Sequence, residues 1–89
     1  MQPRFELEPF VGQPVSIEGR VSAVSQHGVC VEHIKVNGDI PIHHSWIQRS
    51  DNVIGNVKRG DNVVGEFIVG VYKKRGGIRD FNFKEGVII

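Results

Sequence analysis

Val15-Ser16-Ile17-Glu18-Gly19-Arg20-Val21-Ser22-Ala23-Val24 alternates apolar and polar residues almost without error. On an extended chain Val15, Ile17, Gly19, Val21 and Ala23 share one face, and Ser16, Glu18, Arg20 and Ser22 take the other. This is the period-2 pattern of a half-buried strand. The rest of the composition agrees: of 89 residues, 14 are Val and 10 are Ile, while Leu and Ala occur once each, at Leu7 and Ala23. Branching at Cβ stiffens χ1 and suits a pleated surface, whereas straight-chain residues and Ala lose little freedom in a helix. An all-β fold is therefore expected, with eleven Gly and four Pro supplying tight turns between short strands. The length fits one domain.

Working outward from the first strand, Gln26-His27-Gly28 turns the chain into a second strand over about Val29 to Val36. Asn37-Gly38 is a hairpin signal, because both residues tolerate positive φ. A short third strand, Asp39 to His43, follows. Between Ser45 and Asp61 the apolar density falls, which predicts a long connection with one helical turn near Ser45 to Arg49, closed by Lys58-Arg59-Gly60-Asp61. A fourth strand, Asn62 to Lys73, is long enough to bend, with Gly65 and Gly70 as bend or bulge points. A tip at Lys73 to Gly77 leads into a fifth strand, about Ile78 to Lys84. Five strands with the long break after the third is the order of a Greek-key OB-fold barrel. The expected layout is an N-terminal arm (1–10), the barrel (11–86) and a C-terminal tail (87–89). The arm is read either as disordered or as a cover for the barrel mouth.

No apolar run approaches the roughly 20 residues needed to cross a bilayer, and Met1 to Glu6 lacks the apolar core of a secretory signal. A cytoplasmic protein with no membrane partner is expected. Cys30 is the single cysteine, so no internal disulfide is available, in keeping with a reducing compartment. The formal net charge is only +1, yet it is unevenly spread: residues 1–45 carry three basic and five acidic groups, residues 46–89 eight basic and five acidic. The densest run is Lys73-Lys74-Arg75, before Gly76-Gly77. By itself such a run is as well explained by a solvated tip. In an OB barrel, however, single-stranded ligands cross the face of strands 2 and 3 between the loop after strand 1 and the loop joining strands 4 and 5. Those loops here are Ser25 to Gly28 and Lys73 to Gly77, so the run stands where a phosphate backbone would pass.

Five short motifs, spread in order over residues 12–84, then add a resemblance. Gly12 with Val15 and Glu18-Gly19-Arg20-Val21 resembles G-x-x-V-x-G-x-V; His27-Gly28-Val29-Cys30-Val31-Glu32 resembles an aromatic-G-A-F-V-E turn; Ile42-His43-His44-Ser45 resembles V-H-I-S. Lys58-Arg59-Gly60-Asp61-Asn62-Val63 resembles K-x-G-D-x-V, and Arg75-Gly76 to Lys84 resembles R-G-R-I-S-L-S-x-K. Together they resemble the OB-fold RNA-binding domain of the ribosomal protein S-one type, found as repeats in a ribosomal protein and singly in ribonucleases and translation factors. The resemblance implies that His27 and Cys30 occupy two base-stacking positions and that His43 matches an RNA-contacting histidine. His and Cys in place of aromatics remove stacking surface, and stacking is worth about 1–3 kcal/mol per base. An acidic residue usual in the family's last hairpin is replaced by Lys and Arg, so binding is expected to lean on charge more than on stacking. Arg79 stands where the family keeps an inward aliphatic. Either a bulge near Gly76-Gly77 shifts the register, or Arg79 lies at the barrel mouth and reaches solvent.

The histidines and Cys30 also raise a metal reading, through His27-x-x-Cys30-x-x-His33 and His43-His44. A regular strand puts residues 27 and 33 on one face and residue 30 on the other, so neither a metal nor any other cofactor is expected. Trp46 is read as a cover for an open barrel end or as a stacking platform. Tyr72 is expected to be more exposed than Phe67, and Phe67, Phe81 and Phe83 to belong to the core or its flanks. No phosphate-cradling loop, triad spacing or carboxylate pair supports catalysis. The expected function is a non-enzymatic module for single-stranded RNA, or single-stranded DNA. In it Lys73, Lys74, Arg75 and Arg79 neutralise phosphates, His27, His43, Tyr72 and Trp46 contact bases, and Arg20 and Lys35 extend the path. The alternative is an OB-fold protein-interaction or assembly module, in which exposed strand edges and the apolar tail Val87-Ile88-Ile89 pair with a second copy or another subunit. If that tail packs on its own chain, it is structural.

Overall fold

The computed structural model describes residues 5–89. A 3-10 helix, η1 (Phe5–Phe10), precedes five strands: β1 (Pro14–Val24), β2 (Gly28–Val36), β3 (Ile40–Gln48), β4 (Asn62–Lys73) and β5 (Arg79–Ile88). All pairings between the five strands are antiparallel, and the sheet order is β3-β2-β1-β4-β5. The sheet curls into a half-barrel whose edge strands, β3 and β5, approach each other without a hydrogen-bonded ladder among the described residues. The concave side carries Val15, Ile17, Val21, Val31, Ile34, Ile47, Phe67, Val69, Phe81 and Phe83 as one apolar core. No helix of the described residues is long and apolar enough to cross a membrane.

The alternation read over β1 survives: Val15, Ile17 and Val21 are buried, while Ser16, Glu18 and Arg20 are exposed. The Asn37-Gly38 turn has positive φ at both residues (52° and 82°), and the Asn37 side-chain oxygen accepts a hydrogen bond from the Ser16 backbone N–H at 3.1 Å. Curvature comes from bulges. Along β1 and β2 the register slips by one residue between Glu18 and Arg20 and slips back between Val21 and Ala23. The first slip coincides with His33 at φ 52°, a left-handed conformation that lets a strand bend without losing its ladder. As a result β2 buries Val29 and Val31 before the bend and Ile34 and Val36 after it, and β3 switches likewise from Ile42 to Ser45 and Ile47.

Three expectations change. The helical turn expected near Ser45 to Arg49 is instead the second half of β3, which runs to Gln48 and pairs with β2 down to Gly28. The switch in buried side at His43-His44 hides the strand's alternation, and a partner strand outweighs local propensity. β5 continues past Lys84, because a bulge with Glu85 at φ 54° carries the chain around to pair Val87 and Ile88 with Glu66 and Gly65. Gly65 and Gly70 are not the bulge points; the extra residue lies on β5, opposite Glu66 to Ile68.

Both ends of the described chain are fastened to the sheet. Leu7 is fully buried in the core, and Val69 exchanges backbone hydrogen bonds with Gly12 and Gln13. Of the arm read as 1–10, residues 1–4 lie outside the described residues. Ile88 is buried and its N–H donates to the Val53 carbonyl, while Ile89 N–H donates to that of Val64. The connection between β3 and β4 is tied down by Asn52, whose amide donates to the Gln48 carbonyl at 2.8 Å and accepts from the Gly86 N–H at 2.9 Å.

Candidate nucleic-acid interface

On the convex side, the register of β2 and β3 aligns Gly28 with Gln48, Cys30 with Trp46 and Glu32 with His44. Across the open edge, β4 and β5 align Gly70 with Asn82 and Tyr72 with Asp80. Between these two rows lies a groove of about 470 Å³, inside the range of about 300–1,000 Å³ typical of ligand sites. His44, Trp46 and Gln48 line it from β3, and Tyr72, Lys74 and Asn82 from the β4–β5 hairpin; Asp51 contributes one acid, and Ser45, Phe81 and Phe83 are buried beneath.

Trp46 is 50% exposed and Tyr72 39% exposed. Two large rings are thus left partly in water on the same groove, although burying them would add to the stability of so small a core. Trp46 also borders a smaller hollow that it shares with His27 and Gly28, so the indole bridges the β1–β2 loop and the groove. The loop is stiffened by Ser25, whose hydroxyl oxygen accepts from the backbone N–H groups of His27 (3.1 Å) and Gly28 (3.2 Å).

At the other end of the groove stands a fully buried carboxylate. Asp80 accepts hydrogen bonds from the Phe81 N–H at 2.8 Å and the Tyr72 hydroxyl at 3.3 Å, and pairs with the Lys74 ammonium at 2.8 Å. A buried charge persists only when so partnered. The Asp80 contacts therefore hold both Tyr72 and Lys74 beside the groove. The turn itself is closed by Lys74 N–H donating to the Ile78 carbonyl at 2.6 Å, with Gly76 and Gly77 at φ 87° and 81°, and it leaves Lys73 and Arg75 exposed.

The residues singled out from the sequence thus divide. His27, Trp46, Tyr72 and Lys74 gather on the groove and its adjoining hollow. Cys30 sits opposite Trp46 in the ladder but is only 8% exposed, so it supports the indole more than it offers surface. His43 is exposed beside the groove-lining His44, with the two Nδ1 atoms 2.7 Å apart. Arg20 and Lys35 instead line a different depression, of about 430 Å³, on β1, β2 and β4. There the register sets Lys35 opposite Glu18 and Arg20 opposite Glu32, so acids balance the cations. Arg79 is on the other side of β5 from Asp80: its guanidinium lies 5.3 Å from the Phe81 ring centroid and 2.6 Å from a Glu8 oxygen. The β4–β5 ladder runs unshifted from Lys73 with Arg79 to Ile68 with Lys84, so no bulge at Gly76-Gly77 turns this residue.

Sequence reading missed His44, Gln48 and Asn82. Asn82 was accessible, being the polar residue between two core phenylalanines; His44 was concealed by the switch of side within β3. No group of three or more His, Cys, Asp or Glu among the described residues is arranged to hold a metal ion. Comparisons with protein-family models, with curated proteins and with solved structures give no match.

Proposed function

We propose that this chain is an OB-fold module of the S-one type that binds single-stranded RNA in the groove between β3 and β5, in the cytoplasm and without chemistry of its own. The observation that carries the reading is the pair of half-exposed rings, Trp46 and Tyr72, lining one groove next to the Lys73-Lys74-Arg75 hairpin. Bases stack on aromatic faces while a positive strip follows the backbone, and this combination defines single-strand binding. Five antiparallel strands in a partly open barrel agree with the fold, and the groove borders the strand 2–3 face used by OB ligands. Trp46 takes the stacking role that the family resemblance gave to positions 27 and 30, which restores part of the aromatic surface missing there.

A titration of labelled single-stranded RNA and DNA of matched sequence, at two salt concentrations, tests the proposal. Binding that weakens with salt supports it, and the RNA-to-DNA ratio decides the natural strand. Absence of binding to both at low salt overturns it and leaves the protein-interaction reading. Of the tail offered for pairing in that rival, Ile88 is bound into the chain's own sheet, while Val87 and Ile89 remain exposed.

A further inference from the structure

Asn82 lines the groove together with the two rings, and its side-chain oxygen is buried without a hydrogen-bond partner, the sole such atom among the described residues. Buried acceptors are almost always paired, and an unmet one calls for an explanation. The oxygen is pressed toward Gly70, where a Cβ would come within 2.5 Å of it. Glycine at position 70 therefore makes the space in which the amide sits. The final torsion of an asparagine is soft, so the amide of a side chain that lines the groove can turn toward an occupant.

We infer that Asn82 reads the base held against Trp46 and Tyr72, accepting a hydrogen bond from an exocyclic amine and so selecting cytosine or adenine over uracil or hypoxanthine. The inference rests on the single-strand reading above. What the oxygen lacks is an N–H donor. Cytosine and adenine carry an amine beside a ring nitrogen acceptor, and the amide of Asn82 complements both atoms at once: oxygen to amine, NH2 to ring nitrogen. In uracil and hypoxanthine a carbonyl replaces the amine and the ring nitrogen carries hydrogen. The resting amide orientation then opposes acceptor to acceptor and donor to donor, and the half-turn that would suit these bases sets the NH2 where the oxygen now packs toward Gly70.

Labelled oligo(rC), oligo(rU), oligo(rA) and oligo(rI) of equal length provide the test by anisotropy. The native protein should bind the amine-bearing member of each pair at least about fivefold more tightly, the low end for a bidentate base contact. Asn82→Leu should bring oligo(rC) and oligo(rU) to within about twofold of each other while oligo(rU) still binds. Asn82→Asp keeps the acceptor and should retain the preference for oligo(rC) at lower overall affinity. Equal binding of rC and rU, or of rA and rI, by the native protein overturns the inference whether or not the variants fold. So does a preference that survives in Asn82→Leu. If the native protein binds none of the four, it is the single-strand reading that fails.

Discussion

Asp80 and Lys74 show how one buried charge arranges a binding surface. The carboxylate is fully buried and the Lys74 side chain 24% exposed, at 2.8 Å. Removing one member of a buried pair leaves the other without its counter-charge, at about 3–5 kcal/mol. Here the Tyr72 hydroxyl and Phe81 N–H still serve Asp80, so Lys74→Met should cost about 2–3 kcal/mol in urea unfolding. An unchanged midpoint would show that the pair neither stabilises the hairpin nor holds Tyr72 in place. The same two residues mark a limit of residue-level reading. Lys74 was legible as a cation near the ligand path, but its engagement with Asp80 was not, because an acid six positions away on the next strand declares itself only through the hairpin register. Arg79 was likewise legible as an anomaly on an inward position. Its partner Glu8 is 71 positions away, a distance across which sequence carries no signal.

At the scale of elements, the hairpin divides its cations. Lys74 is committed to Asp80, whereas Lys73 and Arg75 are exposed and free to meet phosphates without breaking a buried contact. On a single strand each neutralised phosphate contributes about 0.7 to the slope of log affinity against log salt. Lys73→Ala with Arg75→Ala should therefore lower that slope by about 1.4 while leaving the unfolding midpoint nearly unchanged. An unaltered slope would remove the hairpin from the interface. The strands β1, β2 and β4 were legible because their alternation or their turns are local. β3 and the end of β5 were not, since His43-His44 and Glu85 each reverse which side of the strand is buried, and a reversed alternation reads as none. Trp46 and Gln48 consequently seemed to leave the sheet at the point where they line its groove.

For the molecule as a whole, stability depends on closing a small core with both ends of the described chain. Ile88 is 7% exposed, and beside their ladder with β4 the last residues donate backbone hydrogen bonds to Val53 and Val64. Deleting residues 87–89 removes a buried Ile, about 1.5–3 kcal/mol, together with those bonds, so a loss of about 3 kcal/mol is expected in denaturant unfolding. That is a large share of the 5–15 kcal/mol typical of a domain. Unchanged stability, with a dimer lost in light scattering, would instead assign the tail to assembly. The all-β class followed from the preponderance of Val and Ile, but the place of the groove followed only from the curl that brings β3 toward β5. Trp46 is the chain's single tryptophan, so its fluorescence reports on that groove and the hollow adjoining it. Titrating single-stranded RNA at low salt should quench this emission saturably, with the apparent affinity falling as salt is raised; full emission in the presence of bound RNA, or no binding at any salt, would contradict the assignment of the groove.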